Sequence, residues 1–206
     1  MKKFLLSSIA IFALFAVSQS QIKVGLVTGR SLAIQERSDA GDERLISTDA
    51  FRGYHVGLTA DIHLLGNIYA QPQLLYSQKG AKFTSKTGGW EKITNRTIEV
   101  PLNVVYKADL LFAKLYAGGG PVINYGIGGK SQLDQQTTRL YKGASNYRRL
   151  DLSANAVAGL EFRNGLFVSV NYQYGLRDVN KTSVNVKNRS FGVSIGQTIE
   201  WKKNKS

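Results

Sequence analysis

The stretch FRGYHVGLTADIHLLGNIYAQPQLLYSQKG, residues 51–80, decides how the fold of this chain is interpreted. Apolar side chains occupy every second position in 54–62, and the alternation resumes in 68–76 after the short segment 64–67. Because successive side chains of a strand point to opposite faces, this pattern predicts a hairpin with one apolar face and one polar face. Each arm has about ten residues, enough to cross a bilayer at a tilt of about 45°.

The same period of two recurs along the rest of the chain and is clearest in 150–162. There, a row of leucine and alanine side chains alternates with polar residues that include Asp151, Asn155 and Glu161. In the last such segment, Gln197 interrupts the apolar row. Counting the two arms of the hairpin, the pattern predicts strands at about 22–29, 54–63, 68–77, 94–106, 111–125, 150–162, 166–176 and 190–201.

The connections between these predicted strands alternate in length. The short ones are 64–67, 108–110 and 164–165, and the long polar ones are 31–50, 81–93, 127–149 and 178–189. Short turns at one end and long loops at the other are typical of outer-membrane barrels, whose turns face the periplasm. The sequence therefore predicts an all-β fold, an eight-stranded antiparallel transmembrane β-barrel with short periplasmic turns and long extracellular loops.

Aromatic residues lie near both ends of the apolar face. Such side chains favour the two lipid–water interfaces, so we expect two aromatic girdles around the barrel. The predicted girdle residues are Tyr106, Phe162 and Trp201 at the short-turn end, and Tyr54, Tyr76, Tyr125, Tyr174 and Phe191 at the long-loop end.

The first twenty residues have the features of a secretory signal peptide. Residues 1–3 are basic at two positions, 4–17 are apolar, and Ser18-Gln19-Ser20 fits a cleavage site between small residues. The apolar run is shorter than the roughly 20 residues that a transmembrane helix needs. We therefore expect a signal peptide at 1–20, a barrel domain at 21–206 and a location in the bacterial outer membrane.

Composition bears on the partners of the protein. The chain contains no cysteine, so its fold does not depend on disulfides, and its formal net charge is +13. Nucleic acid is excluded as a partner because the chain is predicted to be exported and its charges are spread over the connections between strands. Outer-membrane lipid and lipopolysaccharide are the partners expected instead, and the loop residues expected to contact lipopolysaccharide are Arg139, Lys142, Arg148 and Arg149.

Charged residues on the polar face are expected to fill the inside of the barrel. An eight-stranded barrel is just wide enough for its interior to be filled by side chains, and buried charges must be paired. The predicted internal charge network consists of Asp61, Glu99, Lys114, Asp151, Glu161 and Arg163.

No motif for catalysis, for a cofactor or for a metal ion emerges from the residue pattern. His55 and His63 are the only histidines. They lie eight positions apart in one predicted strand, about 27 Å at 3.4 Å per residue, too far to share a metal ion. A hydrolase would need a nucleophile beside a histidine, and the sequence contains no recognisable pair. We therefore expect a protein that is not an enzyme.

Several segments resemble a known family. They are GYHVGLTADIHLLGNIYAQPQLLYSQKG at 53–80, TIEVPLNVVYK at 97–107, LYAGGGPVINYG at 115–126 and NYQYGLRDV at 171–179. The chain resembles the small outer-membrane β-barrels of Bacteroidetes that include the PorT-like proteins. This resemblance implies the barrel fold and, as one function, an accessory role in protein secretion across the outer membrane.

Three functions remain open from the sequence. The first is a structural or surface-binding barrel that acts through basic extracellular loops, and the second is the PorT-like secretion accessory with a partner in the secretion system. The third is a soluble, lipocalin-like carrier of a small apolar ligand, whose barrel also has eight strands. Periodicity alone does not say which face points inward, and in a carrier the apolar face would line the cavity.

Overall fold

In the computed structural model, the long strands of the chain close into an antiparallel barrel. The structure describes residues 22–38, 48–49, 51–84, 90–133, 136–139, 149–176 and 185–200. The predicted signal peptide and Trp201 lie outside these residues. Within the described ranges, no helix is long and apolar enough to span a membrane.

Eight long strands form the barrel, and two short strands extend it at the long-loop end. The long strands are β1 (Ile22–Ser38), β3 (Phe51–Leu65), β4 (Ile68–Thr84), β5 (Trp90–Asp109), β6 (Ala113–Leu133), β8 (Leu150–Phe162), β9 (Leu166–Gly175) and β10 (Asn185–Glu200). The short strands are β2 (Thr48–Asp49), which pairs with β4, and β7 (Gln136–Arg139), which pairs with β6.

Each long strand pairs with its neighbours along the chain, and every pairing is antiparallel. The barrel closes between the first and last strands, in a register that runs from Lys23 opposite Glu200 to Ser38 opposite Asn185. Closure leaves no sheet edge along the membrane-facing part of the wall, as a lipid environment requires. The predicted eight-stranded antiparallel barrel is confirmed.

The short turns are found where they were predicted, within one or two residues. Gly66 has a φ of 55° and Gly165 a φ of 82°, backbone conformations that glycine adopts without steric cost. The third turn lies at 110–112, slightly later than predicted, because β5 continues to Asp109.

At the other end of the barrel, the strands run further than predicted. β1 was expected to end near Gly29 but continues to Ser38, and β6 was expected to end near Tyr125 but continues to Leu133. Beyond Gly29 and Tyr125, the alternation of apolar and polar residues becomes irregular in the sequence, as in RSLAIQERS at 30–38. Backbone pairing does not depend on apolar side chains, and the strands therefore extend past the point where the sequence pattern ends.

The glycine run of β6 lies where neighbouring backbones approach closely. A Cβ at Gly118 would lie 2.1 Å from the carbonyl oxygen of Val104, and one at Gly120 would lie 2.0 Å from that of Leu102. No side chain fits in this space, so the glycines allow β5 and β6 to pack tightly where the wall of the barrel curves.

Candidate functional site in the barrel lumen and at its rim

The polar face of the barrel points inward and the apolar face points outward. Leu26, Leu58 and Ile199 expose 66%, 56% and 63% of their surface. The buried polar residues are Ser31, His55, Thr59, Asp61, Ser77, Thr97, Glu99, Asn103, Lys107, Asn124, Ser153, Glu161, Ser169, Gln173, Ser190, Ser194 and Thr198. This orientation is the reverse of a soluble carrier, so the lipocalin-like alternative is wrong.

Four ionised side chains meet inside the barrel near the short turns, and we call them the turn-side network: Lys23, Asp61, Lys107 and Glu161. The ammonium of Lys107 lies 2.5 Å from Asp61 Oδ2 and also pairs with Glu161. Lys23 lies 2.8 Å from the other oxygen of Glu161. Two ammonium groups thus neutralise two carboxylates, and Lys107, with only 2% of its side chain exposed, is the centre of the network.

Neutral and aromatic groups surround Lys107. Gln71 Nε2 donates a hydrogen bond to Asp61 Oδ1 at 3.2 Å. The ammonium of Lys107 lies 4.6 Å from the ring centroid of Tyr69 and 5.7 Å from that of Tyr116, within the range of cation–π attraction. These contacts supply the partners that a buried charge requires.

A cavity of about 430 Å³ adjoins the turn-side network. Its lining includes Lys114, Arg163, Asp109 and Glu200 as well as the network itself. Positive and negative side chains therefore mix along its wall. We interpret the cavity as a polar vestibule at the periplasmic end of the barrel.

Sequence reasoning missed Lys107. The strand was expected to end near Tyr106, three residues before its observed end at Asp109, so Lys107 was left outside the predicted strand. Continuing the period of two by eight residues from Glu99 would have placed Lys107 on the inward face. The alternation thus contained this information, but the predicted strand ended before Lys107.

Three apolar side chains, those of Val27, Leu75 and Phe167, lie between the two ends of the lumen, and we call them the apolar layer. These three side chains form a buried cluster. Along β1, Val27 lies between Lys23 of the turn-side network and Ser31 near the loop-side end, and Leu75 has the same intermediate place in β4. On other strands, polar side chains such as Thr59 and Asn103 are buried between the two ends, so apolar and polar groups together occupy this part of the lumen.

Neutral hydrogen bonds dominate the other end of the lumen. The loop-side network, as we call it, consists of Lys79, Glu99, Thr97, Asn124, Ser153, Gln173 and Ser190. An ion pair joins Lys79 to Glu99 at 2.8 Å. Gln173 accepts from Lys79 at 2.5 Å and donates to Asn124 Oδ1 at 3.3 Å.

Further hydrogen bonds join side chains at the loop-side end. Asn124 Nδ2 donates to Ser153 Oγ at 2.9 Å, and Asn155 Nδ2 donates to Asn103 Oδ1 at 3.0 Å. The cavity among these residues measures only about 40 Å³. Lys79 lies beyond the predicted end of its strand near residue 77, but β4 continues past it to Thr84, and its side chain bonds inside the barrel.

The six charges predicted to form one network lie in several places. Asp61 and Glu161 are joined through Lys107, whereas Glu99 belongs to the loop-side network. Lys114 pairs with Asp109 at 3.3 Å near the short turns, and Arg163 donates to the carbonyl oxygen of Leu111 at 2.7 Å. Asp151 is half-buried opposite Asn124 near the loop-side end of β8. Lys114 and Arg163 thus line the same cavity as the turn-side network but pair with other groups, and Asp151 lies at the opposite end of β8.

His55 has a serine beside it, contrary to the sequence analysis. Its Nε2 lies 2.9 Å from Ser194 Oγ, although the two residues lie on strands separated by β1. Gly29 lies opposite both residues in register, and a Cβ there would lie 2.6 Å from the imidazole. The absent side chain of Gly29 thus lets the ring reach across β1, a contact that no local sequence signal reveals.

This pair has no room for a substrate. His55 and Ser194 line the cavity of about 40 Å³, far smaller than the roughly 150 Å³ cavity that binds one benzene molecule. The second histidine, His63, donates to the carbonyl oxygen of Gly66 at 2.7 Å near the first turn. Among the described residues, no group of three or more histidines and carboxylates is arranged to hold a metal ion.

The predicted girdle residues that the structure describes all lie on the outer face. Tyr54, Tyr106, Tyr125 and Phe191 are exposed, and Tyr76, Phe162 and Tyr174 are half-buried. The rings of Tyr54 and Tyr76 lie 6.4 Å apart. Their role at the lipid–water interfaces stays a prediction.

The predicted lipopolysaccharide contacts lie at the edge of the described chain. Arg149 is exposed at the bend before β8, and its carbonyl oxygen accepts a hydrogen bond from the backbone of Gly126 at 2.7 Å. The backbone of Arg139 lies in β7 opposite Lys130. Lys142 and Arg148 are outside the described residues.

Comparison with known proteins identifies the kind of barrel. The family model described as "outer membrane protein beta-barrel domain" matches residues 16–181. The chain belongs to this family. Together with the exposed apolar face, this membership places the protein in the outer membrane, with its outer wall against lipid.

Solved barrels share this fold at low sequence identity. The outer membrane protein OprG from Pseudomonas aeruginosa is 11% identical, with a TM-score of 0.52 over 88% of this chain and 96% of that one. Ail of Yersinia pestis, solved in complex with the heparin analogue sucrose octasulfate, is 14% identical, with a TM-score of 0.45 over 87% and 99%. Neisserial surface protein A is 11% identical, with a TM-score of 0.46 over the same shares. The likeness to OprG shows the fold alone, and the search of curated proteins found no match.

Proposed function

We propose that this protein is a non-enzymatic outer-membrane barrel with a closed lumen, which has a structural or surface-binding role through its extracellular end. The observation that carries the proposal is the apolar layer of Val27, Leu75 and Phe167 between two hydrogen-bonded networks. A conducting channel needs an open, water-filled path, and this layer, with buried polar side chains such as Thr59 and Asn103 on other strands, supports a filled lumen. An enzyme needs space for a substrate, and the one Ser–His pair found in the described lumen has a cavity of about 40 Å³.

Conductance tests the closed lumen. Purified, refolded protein is added to planar lipid bilayers, after a mobility shift on boiling has shown that the barrel is folded. We expect no steady single-channel current from the wild type. The variant Val27→Gly/Leu75→Gly/Phe167→Gly removes the apolar layer, and we expect it to conduct if it gives the same mobility shift. Steady conductance of the wild type would contradict the proposal.

The surface-binding part of the proposal concerns the basic loops. Arg139, Lys142, Arg148 and Arg149 are suited to phosphate groups of lipopolysaccharide, because arginine offers bidentate hydrogen bonds and lysine a point charge. Binding of lipopolysaccharide by the wild type should exceed that by Arg148→Ser/Arg149→Ser at low salt, and the difference should shrink at high salt. Equal binding at low salt would mean that these arginines are merely solvated.

The resemblance to PorT-like proteins supports a second candidate function. Its segments at 53–80, 97–107, 115–126 and 171–179 cover much of the barrel wall. With a closed lumen, the protein would act as an accessory that binds a secretion component and would not itself conduct the exported protein. Deletion of the gene, followed by measurement of secreted proteins in the culture medium, tests this role. An unchanged set of secreted proteins would exclude it.

A further inference from the structure

Three arginines point outward from the barrel wall near its extracellular end. Arg30 in β1, Arg52 in β3 and Arg96 in β5 are exposed, and each belongs to the outward-facing set of its strand. Among the described residues, none of the three guanidinium groups forms an ion pair or a hydrogen bond. Within the described part of the chain, these three charges therefore have no partner.

The strand register places these arginines in one patch. Arg30 lies opposite Tyr54, Tyr54 opposite Gln78, and Gln78 opposite Arg96, so a single row crosses four neighbouring strands. Arg52 lies two residues beyond Tyr54 on the same face, which makes it a diagonal neighbour of Arg30. Side chains in such diagonal positions start about 7–8 Å apart, so both guanidinium groups can reach one anionic group between them.

The patch lies at the extracellular edge of the lipid-facing belt. On β3, the exposed side chains of Val56 and Leu58 follow directly on the periplasmic side of Tyr54. On β5, the outward row continues from Arg96 through apolar residues to Leu102 and Val104. The long-loop end of an outer-membrane barrel faces outward, so the arginines lie at the level of the outer-leaflet headgroups.

On the opposite side of the barrel, the described arginines at this end are Arg149, exposed at the bend before β8, and Arg189 on β10, whose guanidinium lies over the ring of Tyr174. There, the outward side chains at the loop-side end of the belt include Tyr125 and Ile127 on β6 and Leu176 after β9, and all are exposed. Arg189 lies opposite Ile34 and Tyr174 in register, so its row contains no second arginine among these partners. The row that holds both Arg30 and Arg96, with Arg52 diagonal to it, is the feature that indicates a binding surface.

We propose that Arg30, Arg52 and Arg96, which we call the arginine patch, bind the phosphate groups of a phosphorylated glycolipid in the outer leaflet. Phosphate is the anion at headgroup level, and the planar guanidinium binds it through paired hydrogen bonds. The partial exclusion of water at the membrane boundary strengthens such contacts. Binding at the patch requires only that the protein lies in the outer membrane, and it does not involve the loop arginines of the proposed function.

Binding measured with two forms of one lipid tests the proposal. The refolded full chain in neutral detergent is titrated with purified lipopolysaccharide, and with the same lipopolysaccharide after enzymatic removal of its phosphates. Native mass spectrometry measures the bound fraction. We expect the wild type to bind the phosphorylated form roughly tenfold more tightly, since charge-assisted hydrogen bonds are lost with the phosphates. Equal binding of the two forms would overturn the proposal.

Variants then assign the preference to the patch. Arg30→Gln/Arg52→Gln should bind both lipid forms equally. The matched control Lys114→Gln/Arg163→Gln also removes two positive charges, but at the periplasmic end, and should keep the wild-type preference. A double patch variant that retains the preference would overturn the proposal. All variants are first checked for folding by their mobility shift on boiling.

Two further experiments complete the test. The first separates binding at the arginine patch from binding at the loops, and the second separates a lipid phosphate from free inorganic phosphate. If Arg148→Ser/Arg149→Ser abolishes the preference while the patch variant keeps it, the loops bind the phosphate and the patch does not. Conversely, a preference that survives the loop substitutions and disappears in the patch variant supports the patch.

Inorganic phosphate is the competitor in the second experiment. Complete displacement of the lipid by inorganic phosphate at equal concentration would show a site for free phosphate and overturn the lipid assignment.

Discussion

The two ends of the lumen solve one physical problem with different chemistry. Both hold polar groups inside a barrel that is surrounded by lipid. The turn-side network uses four ionised side chains beside a cavity of about 430 Å³. The loop-side network uses mainly amides and hydroxyls, together with the ion pair Lys79–Glu99, around a cavity of about 40 Å³.

The difference between the two networks follows from the hydration energy of their groups and from how tightly the interior is packed around them. Ionised groups lose much hydration energy on burial, so the charged network lies beside the larger, polar cavity. Neutral amides and hydroxyls lose less hydration energy on burial. Hydrogen bonds between pairs of them are enough to compensate this loss where the interior is tightly packed. This comparison predicts that substitutions at the turn-side end act mainly through charge, and those at the loop-side end through shape and single hydrogen bonds.

The largest effect is expected for Lys107→Met. Methionine has a similar length but leaves Asp61 and Glu161 without their shared ammonium, and an uncompensated buried charge costs about 3–5 kcal/mol. Urea unfolding in lipid vesicles should show this loss in the free energy of unfolding.

A triple variant separates charge from packing at this position. Asp61→Asn/Lys107→Met/Glu161→Gln removes both uncompensated carboxylates and leaves one charge of the network, that of Lys23, whose side chain is 26% exposed. Replacing buried ion pairs is often close to neutral. The triple variant should therefore be more stable than Lys107→Met alone. If the single and triple variants lose the same stability, lost packing explains the effect. The predicted difference between a charge-dominated end and a shape-dominated end is then wrong.

The second prediction probes shape at the loop-side end. Gly29→Ala places a Cβ 2.2 Å from the carbonyl oxygen of Val193 and 2.6 Å from the His55 ring. Overpacking of this kind costs about 1–3 kcal/mol, and the His55–Ser194 contact should be lost. Urea unfolding measures the stability.

Gly128→Ala is the matched control for this substitution. It also adds one methyl group to a strand glycine, but a Cβ at Gly128 meets no atom within 4 Å. Its free energy of unfolding should stay within about 0.5 kcal/mol of the wild type. Equal losses for the two alanine variants would show that strand propensity, and not the crowding around His55, is responsible.

The third prediction concerns one neutral hydrogen bond. Asn155→Ser removes the amide that donates to Asn103 Oδ1 at 3.0 Å. A single neutral hydrogen bond contributes about 0.5–1.5 kcal/mol, so the loss should be well below that of Lys107→Met. A double-mutant cycle with Asn103→Ala isolates the pair, and a coupling energy near zero would mean that these two amides do not support each other.

Local periodicity was sufficient to predict the strands and their faces. The alternation in 54–62 and 150–162 placed apolar and polar residues on opposite faces, and Gly66 and Gly165 marked two turns. Periodicity gave no information on which face is inside, because the alternation is the same in a carrier and in a membrane barrel. The exposure of Leu58 and the burial of Asp61 decide the question.

Contacts between distant strands could not be predicted in this way. The interruption at Gln197 had no local explanation, but its Nε2 donates to the carbonyl oxygen of Asn164 at 2.5 Å, near a short turn. The His55–Ser194 pair likewise depends on a register across three strands and on Gly29. Such pairings follow from barrel closure, which no short stretch of sequence specifies.

The smallest effect is expected for Lys114→Met at the periplasmic rim. Lys114 and Asp109 form an ion pair at 3.3 Å, with 38% and 70% of their side chains exposed. Exposed pairs contribute about 1 kcal/mol or less, and salt screens them, since the Debye length falls to about 3 Å at 1 M. Urea unfolding at low salt should show a small loss of stability that disappears near 1 M salt, whereas the loss for Lys107→Met should persist because its network is buried. A salt-resistant loss for Lys114→Met would place this pair with the turn-side network, and a salt-sensitive loss for Lys107→Met would show that water and ions from the vestibule reach the centre of that network.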